Sequence, residues 1–372
     1  MVKRNKAFRY RIYPSSEQET LFSKTFGCCR FLYNAMLSDR IEEYRKTGKM
    51  LRNTPAAYKK VYGWLKEVDS LALANVQLHL EKAYQNFFSR KDAGFPKFKS
   101  RHHSRASYTT NLVNGNIVLN EKGLRLPKAG IVKIRRHREI PEGYRIKSVT
   151  VSREPSGKFY AGILCEYGIS ENQADPVDRE NLRYLGMDYA MHGLAVLSDG
   201  TDLAYPSYYR KSSEKLAREQ RKLSRCEKGS RNYRKQRKRV ALCHEKIRDQ
   251  RRDFHHKASR KLADSYDVIV TEDLNMKAMS QGLKLGKGVM DNGYGMLLEM
   301  LGYKLEEQGK ILLRIDRFFP SSKKCSRCGK IKEELPLSER VYHCGCGMVM
   351  DRDLNAAINI REEGKRILTA SA

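Results

Sequence analysis

Two groups of residues in this sequence have types and spacings that could do chemistry. The first is three acids at the edges of apolar runs: Asp188 follows LRYLGM, Glu272 closes DVIVT, and Asp353 lies in DRDLNAAINI at the start of an apparent helix. A carboxylate so placed costs desolvation energy unless something compensates it, and divalent cations would do so. Oxygen-rich sites holding two Mg2+ about 4 Å apart suit phosphodiester hydrolysis, one ion activating water and the other stabilising the leaving oxygen. An acid at a strand end is more often a cap, a turn residue or a salt-bridge partner, and spacing alone does not bring three together. Asp351 stands two residues before Asp353 as an alternative third ligand.

The second group is Cys325, Cys328, Cys344 and Cys346, in CSRC and CGC separated by 15 residues. Four thiolates on two short turns suit one tetrahedral Zn2+ with Zn–S near ~2.3 Å. Four ligands leave no open position for hydrolysis, so such a metal would be architectural. His343 is a substitute ligand. Cys28, Cys29, Cys165, Cys226 and Cys243 are scattered and read as inert core thiols. The basic N-terminus has no apolar stretch behind it, and no run approaches the ~20 apolar residues that span a bilayer. A cytosolic location without a membrane partner is therefore expected, where clustered cysteines mean metal rather than disulfides.

The 372 residues carry 73 Lys and Arg against 43 Asp and Glu, a net charge of +30. That field draws polyanions and makes nucleic acid the natural partner, although a structural basic protein could carry it too. Residues 211–260 alone hold 19 Lys and Arg against six acids. Within them RNYRKQRKR (Arg231, Arg234, Lys235, Arg237, Lys238, Arg239) is either a solvated helix face or the lining of a nucleic-acid channel. GFPKFKSRHHSR interleaves Phe95 and Phe98 with Lys97, Lys99, Arg101 and Arg105, a pattern that could stack bases while pairing phosphates, or could anchor a core. Arg30, Tyr33 and Asn34 could reach DNA from the first long helix.

These residues need elements to hold them. KAFRYRIYP alternates like a strand, and Ser16 with Glu19 forms a capping-box pattern opening a helix to about Gly48; a second helix is expected from Ser70 to Phe88. From 108 to 167 short alternating runs broken by Gly, Pro and Asn predict a small β-barrel or sheet. The polar ENQADPVDREN reads as a linker, with a domain boundary near residue 180. Beyond it, LRYLGMD turns at YAMHG into LAVLSDG, and DVIVTEDL and ILLRIDRF supply further strands around the charged helical stretch, giving a mixed α/β domain.

GMDYAMHGLAV, TEDLNM and DRDLNAAINI resemble, in order, the three motifs of RuvC-like nucleases, specifically those of the TnpB family and its relatives, the compact type V CRISPR effectors. KAFRYRIYP, GCCRFLYNAML, AGFPKFKSR, SYTT, GKFYAGILCEY and RFFPSSKKCSRCG extend the resemblance over nearly the whole chain. It implies an RNase H-like RuvC domain at 181–320 and 348–372, interrupted by a zinc ribbon at 321–347. It further implies a β-barrel wedge domain at 1–14 and 105–180, with a helical recognition domain inserted at 15–104. Asp188, Glu272 and Asp353 would be the Mg2+ ligands. Asp353 is preferred to Asp351 because the related motif is Asp-X-Asn, here Asp353-Leu354-Asn355. The second cysteine pair departs from the family's Cys-X-X-Cys by one residue. The implied activity is that of a monomeric endonuclease that binds a structured guide RNA, of transposon-end or CRISPR-array origin. It would check a short motif beside its target and cut both strands of double-stranded DNA at one site. A nuclease-dead guided binder and a DNA transposase are the competing readings. All three motif acids are present, which favours the nuclease.

Overall fold

In a computed structural model, residues 2–102, 104–169, 181–190, 193–282, 291–336 and 338–370 are described. The chain divides into two units, Met1–Glu171 and Asn172–Ala372. Most of the expected linker and part of the YAMHG turn lie outside the described residues.

The first unit begins with β1 (Val2–Tyr13), whose alternation buries Phe8, Tyr10 and Ile12 and turns Arg9 and Arg11 outward. Helix α1 (Ser16–Thr47) follows. Its cap is one residue earlier than the sequence pattern suggests: Ser15 Oγ accepts from the Gln18 N–H at 3.3 Å, and Gln18 Oε1 accepts from the Ser15 N–H at 3.0 Å. Gln18 completes the box as well as Glu would, because an amide oxygen accepts in the same geometry. Helix α2 (Pro55–Val61), a 3-10 turn (Gly63–Glu67) and α3 (Ser70–Ser89) complete the helical block. Six strands follow: β2 (Ala106–Asn111), β3 (Val118–Asn120), β4 (Gly123–Leu126), β5 (Gly130–Arg135), β6 (Arg145–Arg153) and β7 (Phe159–Ile169). With β1 they form an antiparallel sheet in the order β2-β6-β7-β1-β5-β4-β3. β1 pairs with β7 from Val2 to Ile12 and then passes to β5 at Arg11–Tyr13. Among the described residues no ladder joins β2 to β3, so in hydrogen bonding this is an open sheet and not a closed ring.

In the second unit β8 (Tyr184–Tyr189), β9 (Ala195–Leu197) and β10 (Asp202–Leu203) form an antiparallel meander. The basic stretch is two helices, α4 (Tyr208–Ser224) and α5 (Arg231–Ser265). Then come β11 (Val268–Glu272), α6 (Met276–Gly282), α7 (Tyr294–Glu307) and β12 (Ile311–Ile315). A small hairpin, β13 (Val341–His343) with β14 (Val349–Asp351), leads into α8 (Arg352–Ala370). The sheet order is β10-β9-β8-β11-β12, with β8, β11 and β12 parallel.

β11 reads as unbroken hydrophobic sequence because both its faces are covered, as central parallel strands require. Ile269 joins Leu262, Leu297 and Leu301 on one side, while Val268 and Val270 meet Ile360 of α8 on the other. No described helix is long and apolar enough to cross a membrane.

Candidate active site

Parallel pairing of Met187 with Thr271 brings the carboxyl ends of β8 and β11 side by side, so Asp188 and Glu272 follow at adjacent positions. Asp353 enters from the first turn of α8. Two glycines let that helix lie close to the sheet. A Cβ at Gly186 would stand 2.0 Å from the Ala357 carbonyl oxygen, and one at Gly364 would stand 2.3 Å from Val270 Cγ2.

Burial pushes the Asp188 carboxyl well above the ordinary carboxylate range, and the charges of Glu272 and Asp353 push it the same way. Glu272 is also raised by burial, with partial relief from Ser321, whose hydroxyl donates to Oε1 at 2.5 Å. Asp353 has Arg340 Nη1 at 3.9 Å. Tyr294 is fully buried nearby; burial and both carboxylates raise its phenol. It packs edge-on against Tyr189, whose hydroxyl accepts from Asn292.

Asp351 has another occupation. Its Oδ1 accepts the N–H groups of Asp353 and Leu354, both at 2.9 Å, and so caps α8. Asp188 thus feels the charges of both other acids and of the Arg352 guanidinium, while Arg340 stands beside Asp353. Carboxylate oxygens of this kind are the donors that hard divalent cations take, while among the described residues only the four cysteines are drawn close enough together to be grouped round one ion.

The four cysteine sulfurs all lie within 4.8 Å of one another, Cys328 to Cys344 at 3.6 Å and Cys325 to Cys346 at 3.8 Å. A tetrahedron with Zn–S near ~2.3 Å has edges of about 3.8 Å, so the thiols fit zinc even though the second pair is short by one residue. Burial opposes ionisation of Cys325, but the N–H groups of Cys328 and Arg327 and the neighbouring thiols outweigh it and lower the thiol to about 6. His343, on β13, is not part of the group. The scattered thiols divide: Cys28, Cys29 and Cys165 are buried, whereas Cys226, in the turn between α4 and α5, and Cys243, on α5, are partly exposed.

The expected nucleic-acid contacts also divide. Tyr33 is buried, with the Lys99 ammonium 3.9 Å from its ring centroid. Asn34 is bonded in both directions to the Lys99 backbone, at 2.8 and 2.7 Å. In this structure Tyr33 and Asn34 fasten the segment carrying Lys99 to α1. Lys99 itself is partly buried, which lowers its ammonium below the usual range. Arg30, Arg101 and Arg105 line open clefts, and Lys97 is exposed. Phe95 packs edge-on against Tyr84 and Phe87, while Phe98 is 57% exposed. Arg231, Arg234, Lys235, Arg237, Lys238 and Arg239 are all exposed on α5. Gln236, buried in their midst, donates to the carboxylate and carbonyl of Glu219 and ties α5 to α4.

Ser321, Asn359 and Gly186 were not singled out from the sequence, and Asn355 was named only as part of the Asp-X-Asn motif. The signal for the asparagines was their spacing in DLNAAIN, four residues apart on one helix face.

Three family profiles match: IS605 OrfB, described as "Probable transposase", over residues 167–282; the TNB domain of Cas12f1-like proteins over 294–360; and a helix-turn-helix domain over 1–49. In that last segment the described residues form one strand and one uninterrupted helix. A Streptomyces pristinaespiralis protein named as a proposed RNA-guided DNA endonuclease is 37% identical over 100% of this chain and 92% of its own length. Escherichia coli InsQ, named likewise, is 31% identical over 99% and 94%. A solved Cas12f1 chain, from a complex with single guide RNA and target DNA, matches with TM-score 0.61 at 12% identity, covering 96% of this chain and 99% of its own; this likeness is one of fold. With full-length relatives at this identity, the chain belongs to the IS605 OrfB family, the TnpB family.

Proposed function

We infer that this protein is an RNA-guided DNA endonuclease that binds a structured guide RNA, recognises a short motif beside its target and cleaves double-stranded DNA by phosphodiester hydrolysis. The observation that carries the reading is the electrostatic coupling of Asp188 to Glu272 and Asp353 at the carboxyl edge of one sheet, in a chain whose full-length relatives bear that name. Asp188, Glu272 and Asp353 would hold two Mg2+ ions, which when bound supply an activated water and charge stabilisation at the leaving oxygen. The chain's own part is to keep the carboxylates converged, with Ser321 fixing one oxygen of Glu272 and Arg340 beside Asp353.

On this reading the second unit is an RNase H-like RuvC domain, residues 181–320 and 348–372, with 321–347 a zinc ribbon. The wedge sheet, 1–14 and 105–180, and the inserted recognition helices, 15–104, make up the first unit and run nine residues past its boundary at Glu171. The basic face of α5 would track the phosphate backbone of a guide–target duplex, recognised by shape and not by base sequence.

The test is to express the chain with its native downstream locus, sequence the co-purifying RNA, and offer the complex, with Mg2+, a plasmid library randomised beside the target. A specific RNA with motif-dependent linearisation is expected. Guided binding without cutting would make the protein a binder, and absence of bound RNA would revive the transposase reading suggested by the family description.

A further inference from the structure

We propose that Ser321 is a positioning residue for Glu272, held in place by an asparagine latch that joins the base of the cysteine ribbon to the helix carrying Asp353. The inference rests on the two-metal reading above. The Ser321 hydroxyl donates to Glu272 Oε1 at 2.5 Å, a length typical of hydrogen bonds to an ionised carboxylate. With one oxygen held, the carboxylate loses rotational freedom and its other oxygen keeps a fixed aim, as the partners of metal-binding carboxylates ensure elsewhere.

Ser321 lies in the turn beyond β12 and is held there from α8. Its carbonyl accepts from Asn359 Nδ2 at 2.8 Å, and the same amide donates to the Lys324 carbonyl at 2.7 Å. Asn355 adds a donation to Lys324 O at 2.8 Å and accepts from the Ser326 N–H at 3.0 Å. Both asparagines are buried. Their four bonds grip the backbone on either side of Cys325, and Asn355 lies two residues beyond Asp353 on the same helix. The hydroxyl on Glu272 and the helix behind Asp353 are thus parts of one hydrogen-bonded unit. A serine present only to satisfy a buried acid would need no such support from the opposite helix.

The test uses the RNA-free, zinc-loaded full chain and its Ser321→Ala, Ser321→Thr and Glu272→Ala variants. Mn2+ binding is counted by electron paramagnetic resonance, zinc by elemental analysis, and the Mg2+ dependence of cleavage is measured on the guided complex. Ser321→Ala is expected to weaken Mn2+ binding about 10-fold, and to raise the Mg2+ needed for half-maximal cleavage similarly. Zinc content and target binding should stay unchanged, and Ser321→Thr, which keeps the hydroxyl, should restore both metal readouts. Unaltered Mn2+ affinity in Ser321→Ala beside a weakened Glu272→Ala would overturn the positioning role alone, as would Ser321→Thr behaving like Ser321→Ala. Unaltered Mn2+ affinity in Glu272→Ala would overturn the metal-site reading itself.

Discussion

Asp351 and Asp353 are separated by two positions in the sequence and by their work in the structure. One oxygen of Asp351 accepts the first free N–H groups of α8, which satisfies donors that no helical carbonyl reaches. Asp353 instead adds its charge to the burial that keeps Asp188 hard to ionise. Asp188→Ala and Asp353→Ala should each abolish plasmid linearisation while leaving RNA-dependent target binding nearly intact in gel shifts. Asp351→Ala should retain cleavage and lower stability by about 1 kcal/mol, the usual worth of an N-cap, read by thermal melting. A cutting Asp353→Ala variant beside a dead Asp351→Ala variant would reverse the assignment.

Among the elements, α8 has the narrowest tolerances. Gly186 on β8 and Gly364 on α8 remove the Cβ atoms that would keep helix and sheet apart, and the closeness lets the first turn of α8 bring Asp353 to Asp188. Gly186→Ala must displace the Ala357 carbonyl, which is backbone and cannot swing away. A loss of about 2–3 kcal/mol is expected from such overpacking, with cleavage falling in parallel. A thermal midpoint equal to the parent's would show the approach to be looser than this. In the ribbon, Cys325 is buried and its neighbours favour the thiolate. Cys325→Ser should release the zinc and loosen the β13–β14 hairpin, and an unchanged metal content by elemental analysis would remove the tetrahedral assignment.

Over the whole molecule the charge is lopsided, and α5 concentrates it. Six basic side chains between Arg231 and Arg239 are exposed, while Gln236 keeps the helix fastened to α4. Replacing all six with Gln should lower nucleic-acid affinity and flatten its salt dependence, by ~0.9 in log–log slope for each phosphate no longer neutralised. A slope identical to that of the unaltered chain would return the segment to a solvated face.

Local chemistry wrote much of this protein into its sequence. The short apolar runs of β8 and β11 announced strands because they are too brief for a buried helix and, in β11, rich in β-branched residues, and CSRC with CGC announced a thiol cluster because short turns constrain their own residues. The helix of residues 16–47 was legible from its periodicity, though its cap was displaced by one residue since Ser15 and Ser16 offer the same hydroxyl. What depended on distant pairing was not legible. Tyr33 and Asn34 looked free until the fold laid Lys99 against them, and Ser321 showed no reason to meet Glu272, 49 residues away. The coupling of Asp188 to Glu272 and Asp353 was likewise decided by parallel strand pairing and by a helix and a sheet drawn together through a glycine on each, contacts whose partners no local spacing can specify.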